Sequence, residues 1–358
     1  MNDINIEQPL LFDFDDETEN ESIDFRYVIT SYGADYPVDS LMKRIQDKVI
    51  FIPPFQRQFV WSINEASKFI ESLILGLPVP GIFLSKEKDT NRLLVVDGQQ
   101  RLMSLYYFYK GYFQSTPFKL QNVQEDLLGR SYATLKTSDR LRLDDSIIHA
   151  TVVRQDEPDD SESSVYQIFE RLNSGGRALK PQEIRACIYY GEFNELLSEL
   201  VKNQSWRAIF GKKSDIRLKE QELILRFFSL LYNRENYEKP LKGFLNSFMS
   251  EHQHLEKISK EEFENTFKNT FNFITLAIGN KPFRIKRNLN LGAFDSISIG
   301  VAERLKSGKI KNRAEFVEKY RLLTENEEFI SVVQGGTSDE KNVITRINMA
   351  IETFKNLD

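Results

Sequence analysis

The chain has 358 residues, of which 41% are hydrophobic and 28% are charged, and its formal net charge is −5. This composition is typical of a soluble protein with about two domains, and it excludes a wholly disordered chain. No apolar run reaches the roughly 18 residues that a membrane span needs, and the N-terminus lacks a secretory signal pattern. The single cysteine, Cys187, excludes an internal disulfide, so we expect a cytoplasmic protein without membrane contact.

The N-terminal segment differs from the rest of the chain in its charge. Residues 1–25 hold nine acidic side chains and no basic ones, so their negative charge is larger than the net charge of −5 of the whole chain. We expect residues 1–26 to form an acidic, disordered tail. The remaining chain is then mildly basic, which is compatible with nucleic-acid contact but does not require it.

Residues 27–190 predict an N-terminal α+β domain. In chain order, VDSLMKRIQDK predicts a short helix and KVIFIPPF a strand. Ser62 and Glu65 form an S-x-x-E capping box that opens an amphipathic helix. GIFLSKE and RLLVV predict two strands, a helix follows from Gln99 to about Tyr112, and IIHATVVR predicts a further strand. Pro181 occupies the first position of another predicted helix.

The run FIPPFQRQFVW at residues 51–61 places a polar Gln56-Arg57 pair among aromatic residues. Pro53 and Pro54 favour an extended backbone before it. A planar amide and a guanidinium beside an aromatic wall suit the recognition of a base or a phosphate. The alternative is that Arg57 pairs with a carboxylate and the aromatic side chains belong to the core.

The run RLLVVDGQQRLMS at residues 92–104 predicts a strand, a turn at Gly98 and a helix that begins with Gln-Gln-Arg. The first N–H groups of a helix and the positive end of its dipole attract an anion, which Arg101 would grip through two hydrogen bonds. The alternative is a plain corner in which Asp97 caps the helix and Arg101 lies in solvent.

The sequence of residues 191–358 predicts a mainly helical domain without a repeat. The predicted helices are FNELLSELVK, EQELILRFFSLLYN, EEFENTFKNTFNFITLAIG, FDSISIGVAERLK, AEFVEKYRLLT and KNVITRINMAIETFK. Basic residues gather there in two segments, which we interpret as a candidate DNA-binding surface. Solvated helix ends and loops explain them equally well. The candidate residues are Lys212, Lys213, Arg284, Lys286 and Arg287.

Some active-site motifs are absent from the sequence. The three histidines, His149, His252 and His254, do not form a His-Asn-His nuclease pattern, and we interpret His149 as structural. No Walker-type phosphate loop and no Cys-x-x-Cys pair occurs.

Three motifs in order, IPPFQRQFVW, LLVVDGQQRLMSL and IFERLNSGGRALKPQEIRACIYYG, resemble the N-terminal domain family of the GmrSD restriction systems. The resemblance covers roughly residues 35–200. It implies a ParB/sulfiredoxin-like N-terminal domain followed by a mainly α-helical C-terminal domain. It also implies a prokaryotic defence module that binds, and often hydrolyses, a nucleotide and acts against foreign or modified DNA.

The resemblance places the functional pocket at the two Gln-Arg runs. We expect a nucleoside triphosphate (GTP, ATP or CTP) there, with Mg²⁺ held by Asp97. The candidate catalytic residues are Arg57, Asp97, Gln99, Gln100 and Arg101, and the candidate nucleotide-binding residues are Phe55, Gln56, Gly98, Asn173 and Glu183.

We expect the chain to bind DNA. The sequence does not decide whether the chain also binds a separate nuclease subunit or forms a homo-oligomer. The alternative function is a non-catalytic subunit that senses a nucleotide or DNA for such a nuclease.

Overall fold

A computed structural model describes residues 28–52, 59–87, 90–113, 115–157, 166, 180–211, 218–285, 289–336 and 338–358. The chain divides into a unit that spans Phe25–Tyr190 and a unit that contains Gly191–Asp358. The first is built on a mixed sheet and the second is helical, so the predicted α+β fold class with a mainly helical second part is confirmed. In the described part of the chain, no helix is long and apolar enough to cross a membrane.

The first unit contains a five-stranded sheet and a separate hairpin. The strands of the sheet are β1 Val28–Pro37, β2 Ile50–Phe51, β3 Ile82–Lys86, β4 Leu93–Asp97 and β7 Ile147–Glu157, and the hairpin comprises β5 Tyr112–Phe113 and β6 Thr116–Pro117. The order in the sheet is β1-β7-β3-β4-β2. Neighbouring strands pair in alternation: β1 and β7 antiparallel, β7 and β3 parallel, β3 and β4 antiparallel, β4 and β2 parallel.

Helices pack on this sheet to form the core of the first unit. They are α1 Val38–Gln46, α2 Ile63–Ile74, α3 Gln99–Lys110, α4 Thr137–Asp145 and α5 Pro181–Ile188. One core cluster joins the apolar sides of α1 to α4 to alternate residues of the strands, such as Leu93 and Val95 of β4. Leu94 and Val96, which point the other way, are buried as well, and α5 packs against β4. Both faces of β4 are therefore covered.

The predicted capping box fixes the start of α2. The Ser62 hydroxyl accepts a hydrogen bond from the N–H of Glu65 at 3.2 Å, and the Glu65 carboxylate accepts one from the N–H of Ser62 at 2.7 Å. The hydrogen bonds from Ser62 lower the pKa of Glu65 below its usual value. The motif thus does what its sequence predicts.

The second unit consists of helices, several of which the sequence predicts. Their bounds are α6 Glu192–Leu200, α7 Gln204–Phe210, α8 Lys219–Asn233, α9 Leu241–Glu251, α10 Lys260–Ile278, α11 Leu291–Lys306, α12 Arg313–Glu325, α13 Glu327–Gln334 and α14 Glu340–Phe354. Helix α11 lies at the centre, in contact with α8, α10 and α14, and its residues 292–302 are all buried. A helix that is buried on every side belongs to the core of a helical domain.

A buried cluster of charges lies at the centre of this second unit. The Asp295 carboxylate of α11 accepts hydrogen bonds from Nε and Nη2 of Arg226 at 2.6 and 2.7 Å, and from Nη2 of Arg346 at 2.7 Å. Asp295 and Arg346 are fully buried. Burial lowers the pKa of Arg346, whereas at Arg226 the two-pronged contact with Asp295 raises the pKa against the effect of burial. One carboxylate therefore holds three helices together through two guanidinium groups.

Candidate functional site

The predicted corner at Asp97–Arg101 lies where β4 ends and α3 begins. Gly98 lies between them in the left-handed region, with φ of 96°. A Cβ at this position would lie 2.5 Å from Cγ2 of Ile82 on the neighbouring strand β3, so both the backbone angle and the packing require glycine. This is a structural reason for Gly98, beside the close approach of a ligand that the sequence suggests.

We expect Gly98→Ala to destabilise the protein by about 2–4 kcal/mol, since the left-handed backbone and the contact with Ile82 each add a cost. Gly76 is a matched control, because its φ is 70° and no atom would lie within 4 Å of an added Cβ. Gly76→Ala should therefore lose only about 1–2 kcal/mol. Urea unfolding of both variants measures the difference, and equal losses would contradict the packing argument.

Arg101 is paired with Asp97 rather than exposed to solvent. Its Nη2 donates to Oδ2 of Asp97 at 2.7 Å, and only 13% of its side chain is exposed, against 44% for Asp97. No hydrogen bond to Oδ1 of Asp97 is found among the described residues. Asp97 does not cap the helix, because its N-cap is Gly98 and no side chain caps it. The plain-corner alternative is thus wrong in both of its parts.

Gln100 connects this corner to the segment that follows the first Gln-Arg run. Its Oε1 accepts hydrogen bonds from the backbone N–H groups of Val60 at 2.9 Å and Trp61 at 3.2 Å. The side-chain oxygen of Gln100 thus anchors a distant stretch of backbone, and the catalytic role that the sequence assigns to Gln100 stays a prediction. Gln99 is partly buried in the same turn and makes further contacts.

The first turn of α3 has more hydrogen-bond donors than acceptors. Nε2 of Gln100 and Nε of Arg101 are buried and find no partner within the described residues. The first N–H groups of a helix likewise have no acceptor inside the helix, and no side chain caps this one. Unsatisfied buried donors are costly, so this turn is suited to accept an anion.

Phe55, Gln56 and Arg57 lie outside the described residues, but the residues that follow their segment contact the corner. On the preceding side, β2 runs parallel to β4 towards the corner, and its last residue, Phe51, pairs with Leu94, three residues before Asp97. On the other side, Val60 and Trp61 bind Gln100. The predicted meeting of Arg57 with Arg101 stays a prediction.

The aromatic residues after Gln56-Arg57 pack against the helices of the first unit. Phe59 makes edge contacts with Tyr107 of α3 and with Phe113, at ring-centroid distances of 5.2 and 5.3 Å. Trp61 packs against Phe69 of α2 at 5.8 Å. For these two rings the core alternative holds.

Glu183 lies in the first turn of α5 and is buried. Its carboxylate accepts a hydrogen bond from the backbone N–H of Lys180 at 2.7 Å and so caps the start of this helix, while its predicted role in nucleotide binding stays a prediction. Asn173 lies outside the described residues. No motif in the sequence points to Arg185 of the same helix, which is also buried and donates to Gln182 at 3.2 Å.

Of the candidate DNA-binding residues, only Arg284 is described. It lies beside Lys281 and Phe283 at a shallow cleft whose other side is Ile209 and Phe210. Lys212, Lys213, Lys286 and Arg287 lie outside the described residues. The cleft is thus lined by residues that neighbour both basic segments in the sequence: Phe210 shortly precedes Lys212, and Arg284 shortly precedes Lys286.

The described residues contain no metal-binding cluster, and the larger groove of the second unit is not lined by the predicted site residues. Within the described ranges, no group of three His, Cys, Asp or Glu side chains is arranged to hold a metal. A groove of about 420 Å³ lies between α10 and the end of α11, lined by residues that include Glu262, Asn269 and Lys306. None of the candidate site residues lines it.

The histidines differ in their surroundings. His252 is buried and stacked on Phe248 at a centroid distance of 4.0 Å, and burial lowers its pKa. His149, which the sequence assigns a structural role, is instead exposed, and its Nδ1 lies 2.7 Å from Oδ1 of Asp35.

Comparison with known proteins identifies the first unit. A relative among curated proteins is an uncharacterized protein of Methanocaldococcus jannaschii, 30% identical over 90 residues, which covers 19% of this chain and 16% of that protein. The chain therefore matches about a sixth of the length of this relative. Among solved structures, a Pnob8-like ParB-N domain matches at 12% identity over 90% of this chain and 99% of that chain, with a TM-score of 0.22, from which no conclusion follows. The family model of the GmrSD restriction endonuclease N-terminal domain matches residues 38–190. Residues 38–190, which make up less than half of the chain, are thus similar to the N-terminal domains of GmrSD restriction endonucleases.

Proposed function

We propose that the chain is a restriction-like defence module that binds a nucleoside triphosphate with its phosphates at the first turn of α3, and that it hydrolyses this nucleotide. The defence role is supported by the family model that matches residues 38–190, because it describes the N-terminal domain of a restriction endonuclease. The observation that carries the nucleotide proposal is the surplus of donors at Gln100 and Arg101, in a turn that no side chain caps.

The residues of the corner fit a Mg²⁺-bound nucleotide. Mg²⁺ in proteins is commonly held by one or two carboxylates together with phosphate oxygens and water. Asp97 supplies such a carboxylate, since it is half-exposed and only its Oδ2 is used by Arg101. When bound, the metal would neutralise charge on the phosphates.

Each protein group then has a separate task. Arg101 binds phosphate oxygens and neutralises the charge that develops in phosphoryl transfer, and Arg57 assists from the neighbouring segment. Gln99 orients the attacking water. Gln100 acts as a positioning residue, because its side-chain oxygen is occupied by Val60 and Trp61.

We further propose that the helical unit contacts DNA through its basic segments, in response to the nucleotide state. Arg284 and Lys281 lie at a cleft that is also lined by Ile209 and Phe210, close in sequence to the other basic segment. This supports the proposal that both segments form one DNA-binding surface. A chain of phosphates would be bound there by charge rather than by base sequence.

Titration of the full chain with GTP, ATP and CTP, each with and without Mg²⁺, tests the proposal together with an assay of released phosphate. We expect one nucleotide to bind and to be hydrolysed, and EDTA to stop phosphate release. Absence of binding for all three nucleotides at millimolar concentration would overturn the nucleotide proposal. Filter binding with modified and unmodified plasmid DNA, with and without that nucleotide, tests the DNA step.

The second candidate function is a sensor subunit that binds a nucleotide without hydrolysing it and partners a separate nuclease. The Asp97–Arg101 ion pair favours this candidate, because Arg101 already has a counter-charge in place. Saturable binding with no phosphate release, in the presence of Mg²⁺, would select it over the enzyme.

A further inference from the structure

Asp35 and His149 form a pair on the sheet of the first unit. They are direct cross-strand neighbours in β1 and β7, and Oδ1 of Asp35 lies 2.7 Å from Nδ1 of His149. Because an ionised carboxylate only accepts, Nδ1 is the donor and the ring presents Nε2 to its other side. Both side chains are more than half exposed, at 66% for Asp35 and 61% for His149.

This pair lies at the same end of the sheet as the Asp97–Arg101 corner. His149 precedes Ala150, which pairs with Ile82 of β3, and Ile82 is the residue that a Cβ on Gly98 would strike. The distance from Gly98 to His149 across the sheet is thus two strand spacings, or about 10 Å. A nucleoside triphosphate bound at the corner is long enough to cover this distance.

The backbone around His149 also leaves room for its ring. A Cβ on Gly33 of β1 would lie 3.0 Å from Cε1 of His149, and one on Gly81 would lie 2.7 Å from its carbonyl oxygen. A larger residue at Gly33 would crowd the ring and shift it from its place beside Asp35, so glycine there is consistent with a ring that is held in one orientation. Gly81 allows the close approach of the backbone of β7 and does not act on the ring.

We propose that His149, oriented by Asp35, is a further binding residue for the nucleotide at the corner, and that its Nε2 donates a hydrogen bond to the phosphates. Asp35 is a positioning residue, which fixes the ring through Nδ1 and leaves Nε2 facing away from it; the phosphates bind the imidazolium, in which both nitrogens donate. This inference rests on the proposed nucleotide site. An exposed ion pair contributes little to stability, so removal of either residue leaves the fold intact.

The first test is the affinity of the full chain for the non-hydrolysable imido analogue of whichever nucleotide binds in the titration. We expect His149→Ala to weaken binding about tenfold, as for the loss of one hydrogen bond to a charged group. Asp35→Ala should weaken binding as well, whereas Asp35→Asn, which keeps an acceptor for Nδ1, should restore most of the affinity. His254→Ala, which removes the exposed histidine of the helical unit, is the matched control and should bind as the wild type does.

The second test is modification of histidine by diethyl pyrocarbonate, followed at 240 nm. The chain has three histidines, and His252 is buried, so in a His254→Ala background the fast reaction reports His149. We expect the bound analogue to slow it. Wild-type affinity in His149→Ala with no protection would overturn this inference and leave the nucleotide site standing. If the wild type binds no nucleotide, both the proposed function and this inference fail.

Discussion

Arg101→Ala is expected to abolish nucleotide hydrolysis, with a loss of at least about 10³-fold in turnover, as for other arginines that stabilise phosphoryl transfer. Arg101 is the cation of the corner, and its buried Nε has no hydrogen-bond acceptor among the described residues. A phosphate oxygen would supply this acceptor. Removal of the guanidinium leaves Asp97 without its partner, but Asp97 is half-exposed and water replaces the contact. The variant should therefore stay folded.

Phosphate release and the unfolding midpoint in urea, measured on the same preparation, check this expectation. Lys110→Ala is the matched control, since Lys110 is the other basic residue of α3 and lies over the ring of Tyr106 at the far end of the helix. It should retain full turnover. Arg101→Lys keeps the charge but loses the planar fork, so we expect an intermediate rate. Wild-type hydrolysis by Arg101→Ala would remove this residue from the mechanism.

Asp295→Ala is expected to cost the largest share of stability, about 3–5 kcal/mol, because it leaves two guanidinium groups buried without a counter-charge. Arg346 already has Nε and Nη1 buried without a partner in the described structure, so no other group compensates. We expect a lower midpoint for the helical unit in urea unfolding followed by circular dichroism.

Arg346→Met sharpens this test, because it removes one charge and leaves the two-pronged pair of Arg226 with Asp295 intact. Since burial already disfavours the charged form of Arg346, this variant should lose much less stability than Asp295→Ala. The reverse order of the two losses would show that packing, rather than charge, dominates the cluster.

Local signals in the sequence were sufficient for many elements of the fold. The capping box of Ser62 and Glu65, Pro181 at the start of α5, and the strand-turn-helix around Gly98 are all confirmed. Each of these depends on residues within one turn or one strand, where the preference of the side chain decides the structure.

Strand β1 was not predicted, because VITSYGADYP lacks a clear alternation and contains Gly33, Asp35 and Pro37. It becomes a strand through its partner β7, more than a hundred residues away. The helices α7, α9 and α13 were likewise missed, because short amphipathic segments give a weak periodic signal.

The candidate site shows the same limit. The donors of α3 follow from the motif, but the Asp97–Arg101 pair, the contact of Gln100 with Val60 and Trp61, and the position of His149 beside Asp35 depend on tertiary structure. A one-dimensional pattern carries no information on which side chain lies across a strand or a corner.

The pairing of β1 with β7 has a consequence for synthesis on the ribosome. Val28 pairs with Glu157, and β3 pairs with β7 from Ile82 onwards, so the sheet gains two of its four strand contacts only when residues near 157 have emerged. At about 5–20 residues per second, the first strand waits on the order of ten seconds for its partner. During that interval its exposed edge is open to wrong pairings, so binding of a chaperone to the nascent chain would matter most before β7 leaves the exit tunnel.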